Sequence, residues 1–149
     1  MFKRFVTNTA VSFISLLLMG VIFTFVAFFL IDNIELIAGP LLMVVFCGLL
    51  NIGYHIGQRL YYSKSLSFIS VVLFPITILV VLYGLSLVGI SFVSMIIQYP
   101  SAVWNEAFGL SSDFMNEKNV VRYYAVLIIH YFISAISMLL GARKKDKQM

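Results

Sequence analysis

Residues 11–31 read VSFISLLLMGVIFTFVAFFLI, an unbroken apolar run without an Asp, Glu, Lys or Arg. As a helix rising about 1.5 Å per residue, such a run covers the roughly 30 Å hydrocarbon core of a bilayer. Three further runs repeat the pattern at 37–56, 66–87 and 120–140, each of 20 to 22 residues. The second and third are equally free of charge, and the fourth carries only Arg122, at its outer edge. Short charged patches set the runs apart. The reading is an all-α integral membrane protein, a four-helix bundle with one domain over residues 1–149.

Composition excludes the soluble alternatives. The chain is 62% hydrophobic and 11% charged, with a mean hydropathy of +1.04, outside the range of soluble globular domains. In water it would expose apolar patches far beyond the few hundred Å² that soluble proteins tolerate. The net charge of +4 would admit a nucleic-acid partner, but the basic residues stand at helix ends and form no groove or stripe. The expected surroundings are lipid.

Charge placement gives the threading. Lys3 and Arg4 precede the first run, Arg59 and Lys64 separate the second and third, and Arg143, Lys144, Lys145 and Lys147 come after the fourth. Those segments hold eight of the ten basic residues and one acid, Asp146. The other connections carry Asp32 and Glu35, then Glu106, Asp113 and Glu117 with only Lys118 and Arg122. Positive loops stay inside, so both termini and the 57–65 loop are expected in the cytoplasm, and the cytoplasmic (plasma) membrane is the expected location. Because the first run exceeds a signal-peptide h-region and no A-x-A-like site comes after Leu30, it reads as an uncleaved helix. The single Cys47 offers no disulfide or thiolate metal site and reads as a small core residue.

Within the spans, Pro40 falls in the first turn of helix two, where a proline costs little. Pro75 lies inside helix three and should kink it, with Ser70 and Thr77 near enough to help satisfy the freed backbone. Residues 88–119 form an external segment too apolar for an ordinary loop. Its Ile97, Val103, Trp104 and Phe108 need shelter. The expected arrangement is a break near Gly84–Gly89, an interfacial or re-entrant element, and a short helix from about Ala102 to Phe108. Tyr99 and Trp104 would anchor it in the outer interface. Asn116 would cap helix four.

Small and polar side chains mark the faces where helices meet in lipid. Helix two carries Gly48, Asn51, Tyr54, His55 and Gln58 at three- and four-residue spacing, and helix three carries Ser70, Thr77 and Gly84 seven apart. Helix four carries Tyr123, His130, Ser134, Ser137 and Gly141. These stripes are expected to turn inward and to gather Asn51, Tyr54, His55, Thr77, His130, Ser134 and Ser137 toward the cytoplasmic half. Two roles compete for that cluster. One is interhelical hydrogen bonding, about 0.6 kcal/mol per bond. The other is a cytoplasm-open cavity for a ligand or proton. His130, near mid-bilayer, is a functional candidate because ionisable groups are rare there. As a structural group its neutral imidazole would donate to Thr77 or Asn51. Gly53 and Gly57 have the spacing of a close helix contact, within this chain or with another.

No intramembrane Asp or Glu is present to carry a coupling ion, and no phosphate loop, HExxH pair, GxSxG turn or His/Cys cluster occurs. No metal or cofactor is expected, and no catalytic residue is assigned. The expected function is non-enzymatic contact with another membrane protein or a second copy, as an accessory subunit, regulator or immunity-type protector. The alternative is a small-solute or ion transporter or channel built on the Asn51–His55–His130 cluster.

Overall fold

Every apolar run becomes helix where it is described. The computed structural model describes residues 2–33, 38–59, 68–86, 97, 100–105 and 117–146, and no strand occurs among the described residues. Helix α1 spans Phe2–Asn33, α2 spans Ala38–Arg59, a π-helical turn covers Ile69–Leu73 and runs into α3, Phe74–Ser86, and α4 spans Glu117–Asp146. Residues 100–105 are also helical. Three stretches, Phe2–Leu30, Gly39–Arg59 and Val121–Lys144, are long and apolar enough to cross a membrane. The apolar helix Ile69–Leu82 is shorter. Large apolar side chains face outward on these helices, among them Phe25, Phe29, Val44 and Val121. A lipid surrounding is the environment in which such a surface is stable.

Helix α1 begins well before its apolar run, taking in Lys3 and Arg4. Its 32 residues reach about 48 Å, longer than the roughly 30 Å hydrocarbon core of a bilayer. Pro40 sits in the first turn of α2, where its missing N–H belongs to the group that lacks helical partners anyway. Pro75 has a larger effect. Its ring cannot coexist with an α-helical carbonyl four residues back, and the preceding turn widens so that the Phe74 N–H donates to the Ile69 carbonyl. Thr77 Oγ1 donates to the Leu73 carbonyl at 2.8 Å, adding a bond at the same turn.

Packing between helices rests on small residues. A Cβ on Gly57 of α2 would collide with the backbone carbonyl of Met138 in α4, and a Cβ on Gly141 of α4 with the carbonyl of Tyr54. Gly53, one turn away, approaches Ser137 and Met19 closely as well. The Gly53–Gly57 pair therefore seats α2 on α4 within the same chain. With no water to expel, close backbone approach and dispersion are what hold such helices together. Two apolar clusters fill the interior. One joins Leu16 of α1 and Val71, Val72 and Leu79 to Leu127 and Met138 of α4. The other joins Phe23, Leu42 and Phe46 to Val103 and Trp104.

The described residues between 97 and 105 depart from the expected outer-surface placement. Ile97 and Trp104 belong to the two interior clusters, and Pro100 meets α1 beside Gly20. Lipid shelters an isolated apolar side chain as well as protein does, but an indole N–H needs an acceptor, and the acceptor lies inside. Tyr99 and Asn116 lie outside the described residues, as do the 34–37 and 60–67 connections and residues 87–96.

Candidate functional site

Trp104 and His130 form the polar centre of the interior. The indole Nε1 donates to His130 Nδ1 at 3.2 Å. Indole nitrogen is only ever a donor, so Nδ1 must accept and the ring proton resides on Nε2. His130 is 3% exposed and stacks on Phe46 with ring centroids 4.7 Å apart. Phe23 packs beside Phe46, 5.1 Å from the imidazole and 4.9 Å from the Trp104 ring, and Tyr131 meets His130 edge-on at 5.2 Å. Four sequence-distant segments thus supply one aromatic box around a neutral imidazole. Met43, Ile129 and Ile133, together with Asn105, line a cleft of about 270 Å³ beside it. Asn105 donates through Nδ2 to the Ser101 carbonyl at 2.7 Å, while its buried Oδ1 has no partner.

The expected polar cluster does not assemble around His130. Asn51, His55 and Thr77 are exposed on the outside of their helices, Tyr54 and Ser137 are half-buried, and Ser134 is buried. His55 pairs locally with Gln58, Nδ1 to Oε1 at 3.2 Å. Tyr54 packs edge-on against His55, and Lys144 Nζ lies 5.9 Å from the Tyr54 ring centre. The hydroxyls bond within their own helices. Ser134 donates to the His130 carbonyl at 2.9 Å, and Ser137 to the Ser134 carbonyl at 2.8 Å. They are not the interhelical bonds expected of them, because a backbone carbonyl three or four residues back is always within reach in lipid. Neither Thr77 nor Asn51 reaches His130. Its partner is Trp104, which the sequence placed at the membrane surface.

Helix geometry explains the outward turn of two stripes. Ser70 is fully buried while Thr77, seven residues on, is exposed. The π-helical turn between them adds a residue to the winding, rotating the rest of α3 by about 100°. On α2 the buried seam is Leu42, Phe46, Leu49, Gly53 and Gly57, with the same spacing as the polar stripe but on the opposite side. Its outer face presents Val44, Cys47, Gly48, Asn51 and His55. Cys47 is exposed, not the core residue expected. Around Gly48 the space is open, with no atom within 4 Å of where a Cβ would stand.

Among the described residues no group of three His, Cys, Asp or Glu side chains converges. Comparison of the chain with protein families, curated proteins and solved structures finds no match. The site must be read from its own chemistry.

Proposed function

We propose that this protein works by lateral contact with another membrane protein, as an accessory subunit, regulator or immunity-type protector, through the outer face of α2. The observation that carries the reading is Asn51. It is an exposed carboxamide well inside an apolar helix, about 12 Å by helix rise from the end at Arg59. Leaving such a group unpaired in hydrocarbon costs roughly 2–7 kcal/mol, and a hydrogen bond from a neighbouring helix relieves it. Gly48, one turn away with open space above it, lets that helix approach closely. Polar groups on a lipid-facing surface mark a place where lipid is not the permanent neighbour.

The reading includes a threading in the cytoplasmic membrane. Four spans cross it, the Ile69–Leu82 region completing the set, with both termini in the cytoplasm, as the basic residues argue. The 100–105 helix then enters the bundle from outside as part of a re-entrant segment. A polar pathway through the bundle has less support, since Asn51 and His55 are exposed on the outer face of α2, apart from the buried His130.

The test is purification from the native membrane in a gentle detergent. Wild-type protein is expected to bring down a stoichiometric partner, and Asn51→Leu to lose it while melting at an unchanged or higher temperature. A lone monomer across several detergents overturns the reading. A stoichiometric second copy in place of a different protein reassigns the partner to the chain itself.

A further inference from the structure

A second feature, independent of the α2 face, lies where the N-terminal end of α1 meets the C-terminal end of α2. Lys3, Arg4, Thr7 and Asn8 of α1 and Arg59 of α2 enclose a cleft of about 520 Å³ with Val11 and Ile56 at its apolar side. Three cations from the two ends of an antiparallel pair converge there, and no acid is among the lining residues. We infer that this cleft is a binding site for the phosphate headgroup of an anionic phospholipid.

Electrostatics makes an anion the matching ligand. Lys3 and Arg4 occupy the first turn of α1, where the helix dipole is positive and cations are disfavoured. A phosphate placed there meets the dipole and the three side chains together. Arg59 supplies planar paired donors suited to phosphate oxygens, and the two α1 cations add charge. Asn8, only 4% exposed, contributes a neutral amide on the inner wall.

The ligand is a lipid because of what adjoins the cations. Val11 and Ile56 continue the cleft toward the apolar part of both helices. A phosphate anchored at the end of two spans with its tails along them has the geometry of an ordinary membrane phospholipid. Basic pockets between helices at the cytoplasmic surface bind such headgroups.

The experiment uses the full chain in nanodiscs of phosphatidylcholine with or without phosphatidylglycerol, at fixed ionic strength. Bound phosphatidylglycerol is counted by native mass spectrometry and its affinity is taken from titration. Single substitutions are used, since removing Lys3 and Arg4 together would disturb the threading signal. Arg59→Gln and Lys3→Gln are each expected to weaken phosphatidylglycerol about fivefold, the loss of one headgroup cation. Arg143→Gln, which removes a cation elsewhere on the surface, should leave the affinity unchanged. Melting in pure phosphatidylcholine verifies that each variant is folded; should one fail, the other carries the test. Equal weakening by Arg143→Gln reduces the site to a diffuse field and overturns the inference. Full competition by inorganic phosphate makes it a free-anion site and overturns the lipid assignment, as does equal binding of phosphatidylcholine.

Discussion

Trp104 Nε1 and His130 Nδ1 stand 3.2 Å apart, a hydrogen bond between residues 26 positions distant that ties the 100–105 segment to α4. Phe23 of α1 and Phe46 of α2 pack against both rings, so four parts of the chain meet at this one polar contact. The bond gives His130 a structural task.

His130→Ala should therefore destabilise the fold by roughly 2–4 kcal/mol, combining an orphaned indole donor with a cavity among aromatic rings. Trp104→Phe keeps most of the volume but leaves the buried His130 Nδ1 without its donor, and should cost about 1–3 kcal/mol. Reversible unfolding in mixed micelles measures both. A fully stable His130→Ala would return the residue to the functional candidates.

The Gly57–Gly141 crossing makes a sharper contrast. Alanine at either position drives a methyl into the backbone of the facing helix, at Met138 or at Tyr54, where no side chain can yield. The expected cost is about 1–3 kcal/mol or loss of the folded state. Gly48→Ala and Gly84→Ala meet open space and should leave the melting temperature of the isolated protein within roughly a degree or two. Similar behaviour of all four would contradict the helix–helix geometry.

The π-helical turn before Pro75 sets which face of α3 is buried. Leu73→Ala removes a side chain that is 47% exposed and should cost well under about 1 kcal/mol in lipid. Deleting Leu73 altogether should be far more damaging. It returns the winding toward a regular helix, rotating Thr77 by about 100° toward the interior and the buried Leu79 away from it. Thermal unfolding of the two variants under identical conditions distinguishes these outcomes.

The same physics decides which parts of this arrangement are legible in the sequence. The spanning helices are, because a run as long as 11–31 has no other stable use, and three of the candidate spans emerge as long apolar helices. The Gly53–Gly57 contact is legible as spacing, though not its partner. The inward face of α2 is not. Leu42, Phe46, Leu49, Gly53 and Gly57 share their period with Val44, Gly48, Asn51 and His55, and lipid accepts apolar side chains on either side. In water the polar stripe would simply have faced out. The position of Thr77 is hidden by the added residue of the π turn, for which Pro75 is the only signal. The Trp104–His130 bond obeys no periodicity. Its one hint is that Ile97, Val103 and Trp104 are too apolar for an external loop, a hint that points to burial without naming the acceptor.

The central claim is that the α2 face around Asn51 meets another membrane protein. A photoreactive residue at Gly48, where space is open, reports on that face in the intact native membrane. A second probe at Phe25, 75% exposed on α1, serves as the control on an apolar surface. The account predicts one discrete protein adduct from position 48, abolished by Asn51→Leu, and none from position 25. Lipid adducts alone from both positions, or a protein adduct indifferent to Asn51→Leu, would contradict it.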